Sequence, residues 1–188
     1  MPQARSDRGE NLNSCVSFNS PSKSFNLAGI QVSNIVTSDP VLREKIATVM
    51  QRFEHGHLNS FAVDALIAAY SEEGEEWLRQ LNAYLHDNFR AMEARLSQEL
   101  PEMKLCRLEG TYLVWADCRF LTNEGLTTSD IQESLIKNEK VWINSGAMYG
   151  DGDYMRINIA CPRETLLEGT DRMIAGIKRI QRKSGKAE

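Results

Sequence analysis

Residues 20–29, SPSKSFNLAG, set one lysine, Lys23, among three serines and a proline, with a glycine six residues further on. A lysine amine can attack a carbonyl carbon if its pKa is depressed and its geometry is fixed. Burial beside Phe25 and Leu27 would disfavour the charged form. The hydroxyls of Ser20, Ser22 and Ser24 can bond phosphate oxygens, and Gly29 allows close backbone approach. On residue types alone, though, a lysine in a serine-rich loop is more often a solvated surface group. A second candidate is Arg156 in YMRINIAC, residues 154–161. Its planar fork can give a carboxylate two parallel hydrogen bonds. An arginine on a strand serves equally well in a surface ion pair. Arg163, in the CPR that follows, is a weaker candidate near the start of a helix. Tyr112 and Trp115 read as strand packing, and Tyr149 in GAMYGD lies in a glycine-flanked loop without an assigned role. His55 and His57 in HGH have no third ligand nearby, so loop histidines are the better reading than a metal site.

The elements that position these residues follow from pattern. CVSFN (15–19) and GIQVSNIVTS (29–38) read as strands flanking the lysine loop. Asp39 and Pro40 supply a cap and a first helical residue. The helix they start carries Leu42, Ile46, Val49, Met50 and Phe53 on one face. FAVDALIAAYSEE (61–73) is apolar nearly all round and is expected to be buried. Gly74 punctuates, and a long amphipathic helix over 75–100 carries Trp77, Leu81, Leu85, Phe89, Met92, Leu96 and Leu100 up to Pro101. KLCRL (104–108), TYLVWADC (111–118), VWIN (141–144) and YMRINIAC are strand candidates, with an amphipathic helix, TTSDIQESLIKN, between the second and third. After Pro162 a last helix carries Leu166, Leu167, Met173, Ile174, Ile177 and Ile180. Mixed strands and helices of this kind make a small α+β unit on the long helix. The two strands and two helices before it are too few to close a sheet with both faces covered, and read as the end of a larger α/β domain.

Bulk properties narrow the function classes. The chain has 188 residues, 41% hydrophobic and 26% charged, as in ordinary globular proteins. Net charge is −4, and the basic stretch KRIQRKSGK (178–186) reads as a solvated helix end, so a nucleic-acid surface is not indicated. Four widely spaced cysteines without CxxC suit neither a zinc site nor a disulfide scaffold. No apolar run nears the roughly 18 residues of a membrane span, and the first residues lack a signal-peptide core, so a cytoplasmic location is expected.

With the motifs in place, a resemblance emerges. S-x-S-K, an apolar stretch, a glycine and then a strand resemble the Schiff-base motif of fold-type I pyridoxal-phosphate enzymes. PSKSFNLAGIQ looks most like the branch of cystathionine β-lyases and other carbon–sulfur β-lyases, within the class I/II aminotransferase superfamily. EGTYLVWADCR (109–119) is similar to the family's small-domain strand, and NSGAMYGDGDYMRINIACPR (144–163) to its substrate-carboxylate segment. GEEWL (74–78) matches a helix start. The resemblance runs in order over about residues 14–182.

It implies an α/β fold, the C-terminal part of a fold-type I transferase. Residues 1–14 would be a polar, disordered lead-in, 15–74 the remnant of the large cofactor-binding domain, and 75–188 the long helix and small α+β C-terminal domain. Lys23 matches the lysine that holds pyridoxal 5'-phosphate and takes the Cα proton. Ser20 matches a phosphate-contacting hydroxyl, with Ser22 a second candidate. Gln31 stands where many aminotransferases carry a phosphate-binding arginine. The lyase branch commonly lacks that arginine too, which favours lyase. Arg156 matches the arginine that clamps the substrate carboxylate. The implied activity is α,β-elimination from a small sulfur-containing amino acid, giving pyruvate, ammonia and a thiol, in a homodimer. An aminotransferase, and an inactive fragment serving as an interaction or dimerising module, are the alternatives. The family's phosphate loop, ring-stacking aromatic, asparagine and ring-nitrogen aspartate have no counterpart here. This chain alone is therefore expected to bind the cofactor weakly and turn over slowly or not at all.

Overall fold

The structure, a computed structural model, describes residues 15–183. The lead-in expected over 1–14 and the end of the basic C-terminal stretch lie outside them. The chain divides between Arg79 and Gln80 into two compact units.

In the first unit β1 (Ser17–Asn19) pairs antiparallel with β2 (Asn34–Val36), Phe18 opposite Ile35. The strand expected over 29–38 shrinks to three residues. Ala28–Ile30 forms a 3-10 turn, and Gln31 follows in the left-handed region at φ 55°, which no ladder accommodates. The helix α1 (Pro40–Arg52) starts as its sequence dictates: Asp39 accepts from the amides of Val41 at 2.8 Å and Leu42 at 3.2 Å, with Pro40 first in the helix. Its apolar face stays only half covered, with Val49 and Phe53 exposed.

Helix α2 (Ala62–Ala69) departs from expectation. Ala62 and Ala69 are buried, but Val63 and Ile67 are exposed. A helix that is apolar all round needs cover on every side, and two three-residue strands and two helices supply too little. Gly74 does not break the chain either. Helix α3 (Glu72–Glu99) runs through it, and a Cβ there would lie 2.3 Å from the Ala69 carbonyl oxygen. The glycine permits close approach between neighbouring turns of chain.

In the second unit α3 buries Leu85, Phe89, Met92 and Leu96 at helical spacing. A three-stranded antiparallel sheet follows: β3 (Leu113–Asp117), β4 (Asn144–Ser145) and β5 (Tyr154–Asn158), in the order β3-β5-β4. Val114, Ala116, Met155 and Ile157 point one way and join Met92, Leu96, Met173 and Ile177 in one core. Trp115, Tyr154 and Arg156 occupy the alternate, half-buried positions. Three helices complete the unit. They are α4 (Arg119–Thr122), which the sequence reading does not anticipate, α5 (Thr128–Ser134) and α6 (Arg163–Lys183). Thr127 and Asp130 close a capping box on α5, which runs on into a π-helical turn, Leu135–Glu139. The strand expected at 104–108 is reduced to a bridge between Leu105 and Ala116, with two 2.8 Å backbone bonds alongside β3. Of VWIN, only Asn144 pairs.

Cys118 is buried at the end of β3. Burial, reinforced by the neighbouring Asp117 carboxylate, pushes its thiol up to about 12. With a thiol reagent at pH 8, the exposed Cys106 is expected to react promptly and Cys118 only on unfolding. Peptide mapping that finds both labelled at similar rates in the folded protein would contradict this. Among the described residues no helix is long and apolar enough to cross a membrane.

Candidate functional site

Lys23 lies in a single turn closed by the Phe25 amide, which donates to the Pro21 carbonyl at 2.9 Å. Two anchors hold that turn. At its base the Ser20 hydroxyl donates to the Val32 carbonyl at 2.8 Å and accepts from the Ser22 amide at 3.2 Å. A serine has one hydroxyl hydrogen, so Ser20 in this conformation has none left to give a phosphate. On the far side the Phe25 ring meets Tyr70 edge-on at 5.6 Å and stacks on Trp77 at 6.0 Å. Phe25 and Leu27 face a shallow hollow of about 250 Å³ with Ala65 and Gly74.

The apolar cover expected around Lys23 therefore goes to a ring cluster instead, and Lys23 itself is exposed. Among the described residues nothing pairs with its amine, and nothing bonds the half-buried Ser22 hydroxyl. A hollow of about 900 Å³ in this unit, lined by residues of β2 and α1, includes Gln31 but none of Lys23, Ser20 or Ser22. His55 and His57 are exposed, His55 stacked 6.2 Å from Phe53. Among the described residues no group of three metal-ligating side chains occurs.

Arg156 belongs to the second unit, whereas Ser20, Ser22 and Lys23 belong to the first. It lies in the middle of β5, the central strand, with Trp115 opposite it on β3 and Asn144 on β4. Its guanidinium carbon stands 3.7 Å from the centroid of the Tyr149 ring, and Nη2 donates to the Tyr149 hydroxyl. The Nε atom is buried, and nothing among the described residues accepts its hydrogen. A buried donor without an acceptor costs about 1–3 kcal/mol, and more when charged. An anion that reached Nε, beside the Nη2 held by Tyr149, would relieve that cost.

Trp115, read from sequence as packing, sits on this same face. Its ring meets Tyr149 at 6.1 Å and Tyr154 at 6.1 Å, both edge-on. Tyr112 packs half-buried against the core. Arg163 is committed elsewhere: its amide donates to the Tyr84 hydroxyl at 2.8 Å and its Nε to Asn88 Oδ1 at 2.7 Å. Asn88 is fully buried and donates to the carbonyls of Ile159 at 2.9 Å and Cys161 at 3.0 Å. It pins the segment between β5 and α6. Sequence reasoning passes over Asn88, yet a signal exists: it falls three residues after Leu85 and four before Met92, a polar residue on the apolar stripe.

Residues 3–173 match the family model described as Aminotransferase class I and II, and the chain belongs to that family. It is 40% identical over 159 residues to cystathionine beta-lyase PatB of Bacillus subtilis, covering 84% of this chain and 40% of that protein. Among solved structures, the C-S lyase of Staphylococcus hominis, bound to pyridoxal phosphate, superposes with a TM-score of 0.75 at 33% identity, covering 87% of this chain and 41% of the other. Cystalysin of Treponema denticola, which contains a pyridoxal 5'-phosphate cofactor, gives 0.78 at 28% identity over 90% and 42%. The chain thus spans about two-fifths of the length of these relatives, and its mixed α/β architecture is that of the C-terminal part of such proteins.

Proposed function

We propose that this chain supplies the lysine and carboxylate-binding part of a pyridoxal-phosphate-dependent carbon–sulfur β-lyase, acting on a small sulfur-containing amino acid as a homodimer. The observation that carries the reading is the buried, unpartnered Nε of Arg156, an arginine otherwise held in place by Tyr149. The residues present suit the cofactor in part. The unpaired Lys23 amine suits its aldehyde, and the unbonded Ser22 hydroxyl suits a phosphate oxygen better than Ser20, whose hydrogen is engaged with Val32. Ser20 then acts by fixing the turn.

When bound, the cofactor supplies an electron sink for the pair left at Cα. Lys23 Nζ takes the Cα proton, and among the described residues no partner holds its amine elsewhere. Arg156 binds the α-carboxylate and so restricts rotation about the bond to Cα, which sets the direction of the Cα hydrogen. Elimination is preferred to transamination because the relative at 40% identity is named a cystathionine beta-lyase and Gln31 is not an arginine.

The test is to incubate the chain with pyridoxal phosphate, reduce with borohydride and map the adduct by mass spectrometry. Label concentrated on Lys23 is expected, and L-cystathionine is expected to yield pyruvate and a thiol, however slowly. A keto acid that retains its sulfur would indicate an aminotransferase. Label spread evenly over surface lysines would leave only a non-catalytic role.

A further inference from the structure

Tyr149 carries no role in the proposed chemistry, yet the loop that presents it is closely built. Ser145, almost fully buried, caps the turn Gly146–Tyr149 by accepting from the Ala147 amide at 3.3 Å, and its own amide donates to Gln132 Oε1 at 2.7 Å. The Thr128 hydroxyl gives its hydrogen to the Gly152 carbonyl at 3.0 Å, so Ser145 is the donor in the 2.8 Å bond between the two hydroxyls. Both ends of the loop are therefore tied to α5. Gly150, at φ 94°, closes the turn in a left-handed conformation. The ring thus delivered lies under the guanidinium carbon of Arg156 and makes an edge-on pair with Trp115.

We propose that Tyr149 is a positioning residue for carboxylate recognition. Its ring lies under the Arg156 guanidinium carbon and its hydroxyl accepts from Nη2, so the side chain is held at two points and Nε is the donor left without an acceptor among the described residues. The inference rests on the reading of Arg156 as the carboxylate-binding residue. An arginine on a strand has many rotamers, and a face-on ring with a hydroxyl acceptor at one nitrogen removes most of them before a ligand arrives.

The experiment uses the full chain, labelled with ¹⁵N, and follows the Arg156 Nε–H resonance, assigned by its loss in Arg156→Lys. The probes are L-alanine and L-alaninamide, which differ in the carboxylate. The resonance is expected to shift with L-alanine and not with the amide. Tyr149→Ala is expected to weaken L-alanine binding about fivefold and to speed exchange of the Nε hydrogen with water. Tyr149→Phe, which keeps the ring and conserves the fold, is expected to weaken it about twofold by losing the acceptor. If L-alanine shifts the wild-type resonance but both variants bind it as tightly as wild type, the positioning role is overturned and the Arg156 reading stands. If L-alanine leaves the wild-type resonance unmoved, both are overturned.

Discussion

Replacing Asn88 by leucine is expected to lower the stability of the second unit by about 3–5 kcal/mol, although the side chains are close in volume. The site is fully buried, and Asn88 serves three partners there: the Ile159 and Cys161 carbonyls and the Arg163 guanidinium. Leucine fills the space but leaves the buried Ile159 carbonyl, the half-buried Cys161 carbonyl and one charged nitrogen without their partner. Each unmet group costs about 1–3 kcal/mol, offset in part by the gain from burying an apolar side chain. Against the 5–15 kcal/mol that is usual for a domain, roughly, the loss is large. Asn88→Asp is no remedy. It improves the charge opposite Arg163 but turns an acceptor towards two carbonyls that need donors. Urea denaturation followed by circular dichroism measures the effect, and a loss below about 1 kcal/mol would show that water or a shifted backbone satisfies these groups instead.

What the sequence revealed of the fold depended on how local each signal was. The Asp39 and Pro40 cap and the spacing of Leu85, Phe89, Met92 and Leu96 needed only neighbours within a few turns, and these elements occur where the pattern puts them. The strand over 29–38 failed because β-branched residues argue for extension, while the left-handed Gln31 ends it from within. Helix α2 failed in another way. Its composition states what the helix needs covered, whereas the exposure of Val63 and Ile67 states what the described residues cover. A pattern cannot report the second. Gly74 is similar: a glycine inside a helix looks like a stop until the Ala69 carbonyl is seen at a distance that excludes a side chain.

For the candidate site, the family resemblance singled out Lys23, Ser20, Ser22 and Arg156, but not how each is held. Ser20 turned out to be hydrogen-bonded to a carbonyl twelve residues away, a partner fixed by the pairing of β1 with β2. Tyr149 reaches Arg156 because a loop folds back over the strand that follows it, and Trp115 joins them only through the register of β3 against β5. Cross-strand register is a tertiary quantity, and no window along the chain contains it.

Gly146→Ala is expected to be the most damaging small substitution near Arg156. A Cβ at this position would stand 2.4 Å from the carbonyl oxygens of both Asp151 and Tyr154, and 3.0 Å from the Trp115 ring. Two of these neighbours are backbone atoms, one of them in β5 itself, so no side-chain rotamer change makes room. The loop must move, at a cost of about 3 kcal/mol, and the movement carries Tyr149 away from the guanidinium. The matched control is Gly152→Ala six residues later, where a Cβ meets nothing within 4 Å. It is expected to change stability by less than about 0.5 kcal/mol. Denaturation midpoints separate the two, and the Arg156 Nε–H resonance reads whether the ring contact survives. Because Gly146 is followed by Ala147 and the whole turn is capped by buried Ser145, the loop has few ways to relax locally. An alanine variant as stable as wild type, with the resonance unmoved, would mean that the turn is soft and that Tyr149 stays in place for some reason other than the tightness of its loop.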